Sequence, residues 1–154
     1  MTGTSETRFL HVANGTSTTM TIEAAGIPGI VSIWADPLHD GPVPGGLTDD
    51  ELCQLRSRYL GGPAGSTSDD PADDLRGWRT PIERVDAFDE LVLWYEHDLF
   101  DQLNLIQLLT VIHDSAASEK VVSLVCIGSF PGRPTFKGLG ELTAAELAPL
   151  LGQR

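Results

Sequence analysis

Leu91-Val92-Leu93-Trp94-Tyr95 is an apolar run with no polar alternation. A strand with one wet face alternates, whereas a strand covered on both faces does not, and the latter pattern belongs to parallel sheets sandwiched between helices. Three more short runs repeat the theme: Phe9-Leu10-His11-Val12-Ala13, Ile30 to Ala35, and Val121 to Ile127. Each pair is separated by enough chain for a crossover, which parallel neighbours require. The expected fold is α/β and three-layered, with a mainly parallel sheet of about four strands and helices on both faces. Right-handed crossovers favour the strand order 2-1-3-4. That order puts a topological switch between the first and third strands, where open α/β sheets bind ligands.

The segments between the runs carry helix punctuation. Thr16 and Ser17 can cap a helix from about Thr18 to Ala25, which Gly26 ends. Thr48 with Glu51 makes a capping box, predicting a helix to about Tyr59 with Leu52, Leu55 and Tyr59 on one side. Gly61 to Asp74 is rich in Gly, Pro, Ser and Asp and reads as a mobile surface loop. A helix over about Ala72 to Val85 is weakened by Gly77 and interrupted near Pro81. Asp98 caps a long helix to about His113, with Leu99, Leu103, Ile106, Leu109 and Ile112 at helical spacing. Gly128 to Gly140 is irregular, and Thr143 with Glu146 caps a short last helix.

A chain of 154 residues fits one domain, expected over 8–152 after a frayed stretch at 1–7. The net charge of −12 argues against direct nucleic-acid binding, which draws on Lys and Arg displacing counterions. No apolar run approaches a membrane span, and the first residues lack the pattern of a secretory signal. A cytoplasmic location is the expectation. Cys53 and Cys126 form no CxxC and read as two buried thiols. His11, inside the first strand, reads as a satisfied core histidine, and Trp34, Trp94 and Tyr95 as core.

All strands of a parallel sheet end at one edge, so the residues just past them converge. Those residues are Asn14-Gly15-Thr16-Ser17, then Asp36 with His39-Asp40, then Glu96-His97-Asp98, then Ser129-Phe130. The first turn can hold an anion on free helix amides, or simply cap its helix. The second loop is stiffened by Pro37, Pro42 and Pro44, which suits proton transfer, although Asp36 in an Asx turn explains it as well. In the third segment Asp98 has an N-cap reading. Glu96 needs a partner, with His39 or His97 as candidates, since a carboxylate after an apolar strand is poorly solvated. Gln102 can face the same hollow, while Asp101 serves only the helix dipole. An oxygen/imidazole set can take a divalent ion, but no HExxH-type spacing supports one, so no metal is assigned. The Gly138-Leu139-Gly140 pair is a weak signal, preceding no phosphate-binding helix. No phosphate-loop lysine and no GxSxG elbow is present.

Leu10 to Ser17, Trp34 to Pro44 and Leu93 to Leu103 resemble motifs of the bacterial family called domain of unknown function 1835. Cys126 to Gly132 and Gly138 to Leu142 look like its closing segment, so the resemblance runs from about Phe9 to Leu151. In that family the position of Thr16 is commonly Asp, and a further helical region often follows. The resemblance implies no substrate, cofactor or reaction.

Three readings follow. One is an enzyme acting on a small anionic or polar metabolite, with Glu96, His39, His97 and Asp36 as catalytic candidates. Asn14, Gly15, Thr16, Ser17, Asp40, Asp98 and Gln102 would bind the ligand, and the cofactor stays unassigned. Another is a non-catalytic ligand-binding or regulatory domain using the same crevice. The third is an interaction module, with a homodimer as its simplest form.

Overall fold

The computed structural model describes residues 6–62 and 70–154. Four strands, β1 (Phe9–Ala13), β2 (Ile30–Ile33), β3 (Glu90–Trp94) and β4 (Val121–Val125), form one sheet in the order β2-β1-β3-β4. Every pairing is parallel, with His11 beside Val31 and Val92, and Val92 beside Ser123. The chain therefore reverses its winding between β1 and β3, at the expected switch point. Every residue of β3 is buried, as its unbroken apolar run requires.

The period of two splits the core into two layers. Leu10, Val12, Leu91, Leu93 and Tyr95 pack beneath Ile82 of α3 (Pro71–Glu83) and Leu105, Leu108 and Ile112 of α4 (Leu99–His113). Ala13, Val92, Trp94 and Val125 pack against Ile22 of α1 (Thr16–Ala24) and Leu147 of α5 (Ala144–Leu147). His11 is buried as expected: its Nε2 pairs with the Pro28 carbonyl, and Trp94 Nε1 donates to its Nδ1 at 3.2 Å. Trp34, Trp94 and Tyr95 are fully buried.

Several local expectations need correction. α1 begins at Thr16 rather than about Thr18, and Gly15 is its N-cap with no side-chain hydrogen bond. Both capping boxes form, and α2 (Asp49–Leu60) buries Cys53, Arg56 and Leu60 most deeply, with Leu52, Leu55 and Tyr59 half-buried beside them. An ion pair beneath the helix draws Arg56 inward, a feature hydropathy ranks against. Asp70 caps α3, whose first turn occupies 71–74, so the expected loop is shorter; its residues 63–69 lie outside those described. Pro81 falls in the last turn and leaves α3 unbroken.

The largest correction concerns α4. Leu99 and Ile106 are 68% and 62% exposed, and Leu109 is exposed too. The buried face carries Asp101, Asn104, Leu105, Leu108 and Ile112. A helix apolar all round offers two stripes of helical spacing, and here the stripe containing two polar residues packs on the sheet. Their hydrogen bonds to strand ends decide the rotation. Among the described residues, no helix is long and apolar enough to cross a membrane.

Candidate functional site

The switch point is held by one carboxylate. Asp101, fully buried in the first turn of α4, accepts from the Asn14 side chain, just past β1. Its other oxygen accepts from the Glu96 backbone N–H at 2.5 Å, just past β3. Gln102 Nε2 donates to the Glu96 carbonyl at 2.6 Å, so α4 holds both backbone groups of that residue. Asp98 caps α4 by accepting from the Asp101 N–H at 2.9 Å. Asp101, which the sequence reading left to the helix dipole, is therefore the residue that joins the two strand ends.

Glu96 is hydrogen-bonded to neither expected histidine, and of the two only His97 reaches it, through charge. Its Oε1 accepts from the Leu139 N–H at 2.6 Å. Its Oε2 makes no hydrogen bond among the described residues, yet is not sealed from solvent. A Cβ on Gly138 would collide with that carboxylate, so only glycine allows the approach. On the other side of the same short turn (Leu139–Glu141), Ser17 Oγ donates to the Gly140 carbonyl at 3.2 Å. A Cβ on Gly140 would stand 2.7 Å from Ser17 Oγ. The 138–140 turn thus threads between Glu96 and Ser17. Of its two glycines, a weak signal on sequence for lacking a phosphate-binding helix, Gly138 is required by close approach and Gly140 leaves room for the Ser17 hydroxyl. The spacing Gly-x-Gly was the available signal; the chain that passes between them was not.

Burial raises the Glu96 carboxyl above its ordinary range; the Leu139 N–H opposes this, the negative charge of Asp101 and Asp98 adds to it, and His97 acts weakly against it. Burial likewise raises Asp101, against the Glu96 N–H and the Asn14 amide that favour its charged form. Cys126 is exposed, not buried as expected, just past the end of an edge strand whose Val121, Val122 and Leu124 are exposed as well. Its thiol is pushed up by desolvation and then by Asp101 and Glu96, which places it within their electrostatic reach.

α1 opens at this edge without a cap. No protein group among those described accepts from the backbone N–H of Thr16, Ser17 or Thr18, and the first turn holds no acidic residue. Such a turn presents a partial positive charge and free donors.

The loop after β2 is organised differently. Asp36 is 1% exposed and clamped by Arg56, whose Nη2 stands 2.6 Å from Oδ1. The same guanidinium donates to the carbonyls of Pro37 and Asp40. Asp40 accepts through Oδ1 from the Tyr59 hydroxyl at 3.1 Å. Neither carboxylate orients His39, which packs its ring edge-on to Phe100 at 5.7 Å. Asp36 also forms no Asx turn: a buried Arg, invisible to local turn chemistry, takes its carboxylate. This loop still shares the edge, since Asn104 Nδ2 donates to the Asp36 carbonyl and the Tyr95 hydroxyl to that of Trp34. His97 and Asp98 are exposed, and the His97 ring lies beside Gly128. Ser129 and Phe130 line a separate hollow of about 440 Å³ with α5. Asn14, Ser17, Glu96 and Gln102 come together, then, while Asp36, His39 and Asp40 form a neighbouring structural knot. Among the described residues no group of three or more His, Cys, Asp or Glu is arranged to hold a metal ion.

An open parallel α/β sheet with polar residues gathered at its switch point defines the class of protein. Compared with protein-family models, curated proteins and solved structures, the chain matches none.

Proposed function

We propose that this protein binds a small anionic or polar metabolite at the switch point between β1 and β3. The observation that carries this reading is the start of α1, two residues after Asn14, which has no side-chain cap and whose Thr16, Ser17 and Thr18 amides meet no acceptor among the described residues. Helix termini of this kind favour anions through both hydrogen bonds and dipole. Thr16 adds a hydroxyl donor and no competing negative charge. Glu96 supports a polar ligand group, since one carboxylate oxygen is free beside the same turn. Membership of the bacterial family whose motifs this chain resembles is part of the same proposal and rests on those motifs.

The experiment is a thermal-shift series with inorganic phosphate, small dicarboxylates and sugar phosphates, because a ligand of the folded state raises its stability by mass action. A saturable rise for one of these classes, lost in Ser17→Asp, supports the reading. The new carboxylate would occupy the amides itself. Shifts equal in wild type and Ser17→Asp would remove α1 from the site.

A second reading, catalysis, is favoured by one specific observation. Glu96 is a carboxyl raised by burial, with one oxygen that accepts no hydrogen bond among the described residues, and a general acid or base needs both. Glu96→Gln keeps an acceptor for Leu139 and separates the two readings. Loss of turnover with binding retained identifies chemistry, and loss of binding identifies recognition alone.

A further inference from the structure

Away from the switch point, a hollow of about 820 Å³ lies between α4, the start of α2 and the end of α3. Its floor includes Leu38 and Ile82, and its walls carry Val43, Leu47, Leu103 and Ile106. Val43, Leu47 and Ile106 are exposed despite their apolar side chains. The wall contributed by α4 runs from Leu103 to Asp114, about 16 Å at a 1.5 Å rise per residue. The hollow is thus an elongated groove of about three helical turns.

Its rim is acidic. Asp50, Glu83 and Asp114 line it and form no ion pair among the described residues. Arg79, the one cation in the lining among the described residues, is already committed: it pairs with Asp49 at 2.5 Å and stacks 4.5 Å from the Trp34 ring centroid. A second copy of this face would set acid against acid in a chain of net charge −12. A long apolar floor with uncompensated negative flanks matches the apolar stripe and basic flanks of an amphipathic helix. We propose that this groove docks a basic amphipathic helix of another protein, independently of the metabolite site.

The test is a fluorescence-anisotropy titration of the full chain with a labelled model helix of leucine and lysine carrying one apolar face. Two controls accompany it: a scrambled peptide of the same composition and a leucine–glutamate helix. In physiological salt the patterned basic peptide should bind one to one, about tenfold or more tighter than either control. Ile106→Asp sits on an exposed helix position and should weaken binding by about tenfold or more. Asp114→Lys, at the C-terminal end of α4 where a cation suits the dipole, should weaken it severalfold and flatten its salt dependence. Equal binding of the scrambled peptide, or indifference to Ile106→Asp, would overturn the proposal. So would saturable binding of octylamine in the groove without peptide binding, which would point to a small hydrophobic cation. A dimer in sedimentation that Ile106→Asp abolishes would assign the face to a second copy and overturn it equally.

Discussion

Asn14, just past β1, and Asp101, in the first turn of α4, are hydrogen-bonded across the switch point of the sheet. Since Asp101 also holds the Glu96 N–H, this one carboxylate ties together the segments that leave β1 and β3. Asn14→Ala leaves a buried carboxylate oxygen without its donor. The expected loss is about 1–3 kcal/mol of unfolding free energy, the usual penalty for an unsatisfied buried polar group. Urea denaturation measures it, and a loss within a few tenths would show that the bond does not restrain the edge.

Asp36 and Arg56 make the buried ion pair of the neighbouring loop. Removing one partner strands the other charge out of water. Asp36→Ala should therefore cost about 3–5 kcal/mol. Because Arg56 also holds the Pro37 and Asp40 carbonyls, proteolysis should cut the 36–47 stretch faster in the variant. An unchanged cleavage pattern would deny Arg56 its organising part.

Gly138 gives way to the Glu96 carboxylate. Gly138→Ala forces the 138–140 turn or the carboxylate to move, at about 1–3 kcal/mol in the manner of overpacking. It should also reduce ligand-induced stabilisation, whereas Gly77→Ala, which meets no neighbour within 4 Å on a helical backbone, should leave that response intact. Equal effects of the two on ligand response would show that the turn is unrelated to the site.

The outline of the fold was legible because its signals are local. An unalternating run at Leu91–Tyr95, capping boxes at Thr48 and Thr143, and the helix start at Asp98 each depend on a few adjacent residues. The site was legible only as far as topology carries it, placing Asn14, Glu96 and Gln102 on one edge. What escaped were partnerships between distant segments. Asp36 is a catalytic candidate or an Asx-turn residue on local sequence, but Arg56, on the next helix, takes its carboxylate. Asp101 looked like a surface acid because α4 is apolar on every side, and only its bonds to Asn14 and Glu96 turn it inward. The 138–140 turn was missed because what constrains its glycines, Glu96 and Ser17, lies 42 and 123 residues away along the chain.

Glu96 makes the stability of the protein depend on pH in a defined direction. Burial lifts its folded-state pKa above the ordinary 4.5. The native state then holds more protons than the unfolded chain between those two values, so wild type loses stability as pH rises through that window. Glu96→Gln has no proton to lose there. Its stability relative to wild type should grow from about pH 4.5 upward and then level off. Urea denaturation of both proteins across that range checks this. A difference that is flat or shrinks as pH rises would contradict it.

Cys126 offers a chemical readout of the same charges. Desolvation and the nearby Asp101 and Glu96 raise its thiol pKa, so less thiolate forms near neutrality. Iodoacetamide should modify it more slowly than a free cysteine peptide despite its exposure, and faster in Glu96→Gln. A rate equal to the peptide's would place Cys126 outside the field of these acids.

The central claim is that the open end of α1 receives the ligand, and backbone amide NMR sees that end directly. On titration with the anion that gives the largest thermal shift, the Thr16, Ser17 and Thr18 resonances should move saturably with one shared Kd, together with Leu139. Movement confined to other segments, with these four amides unchanged at saturation, would contradict the claim.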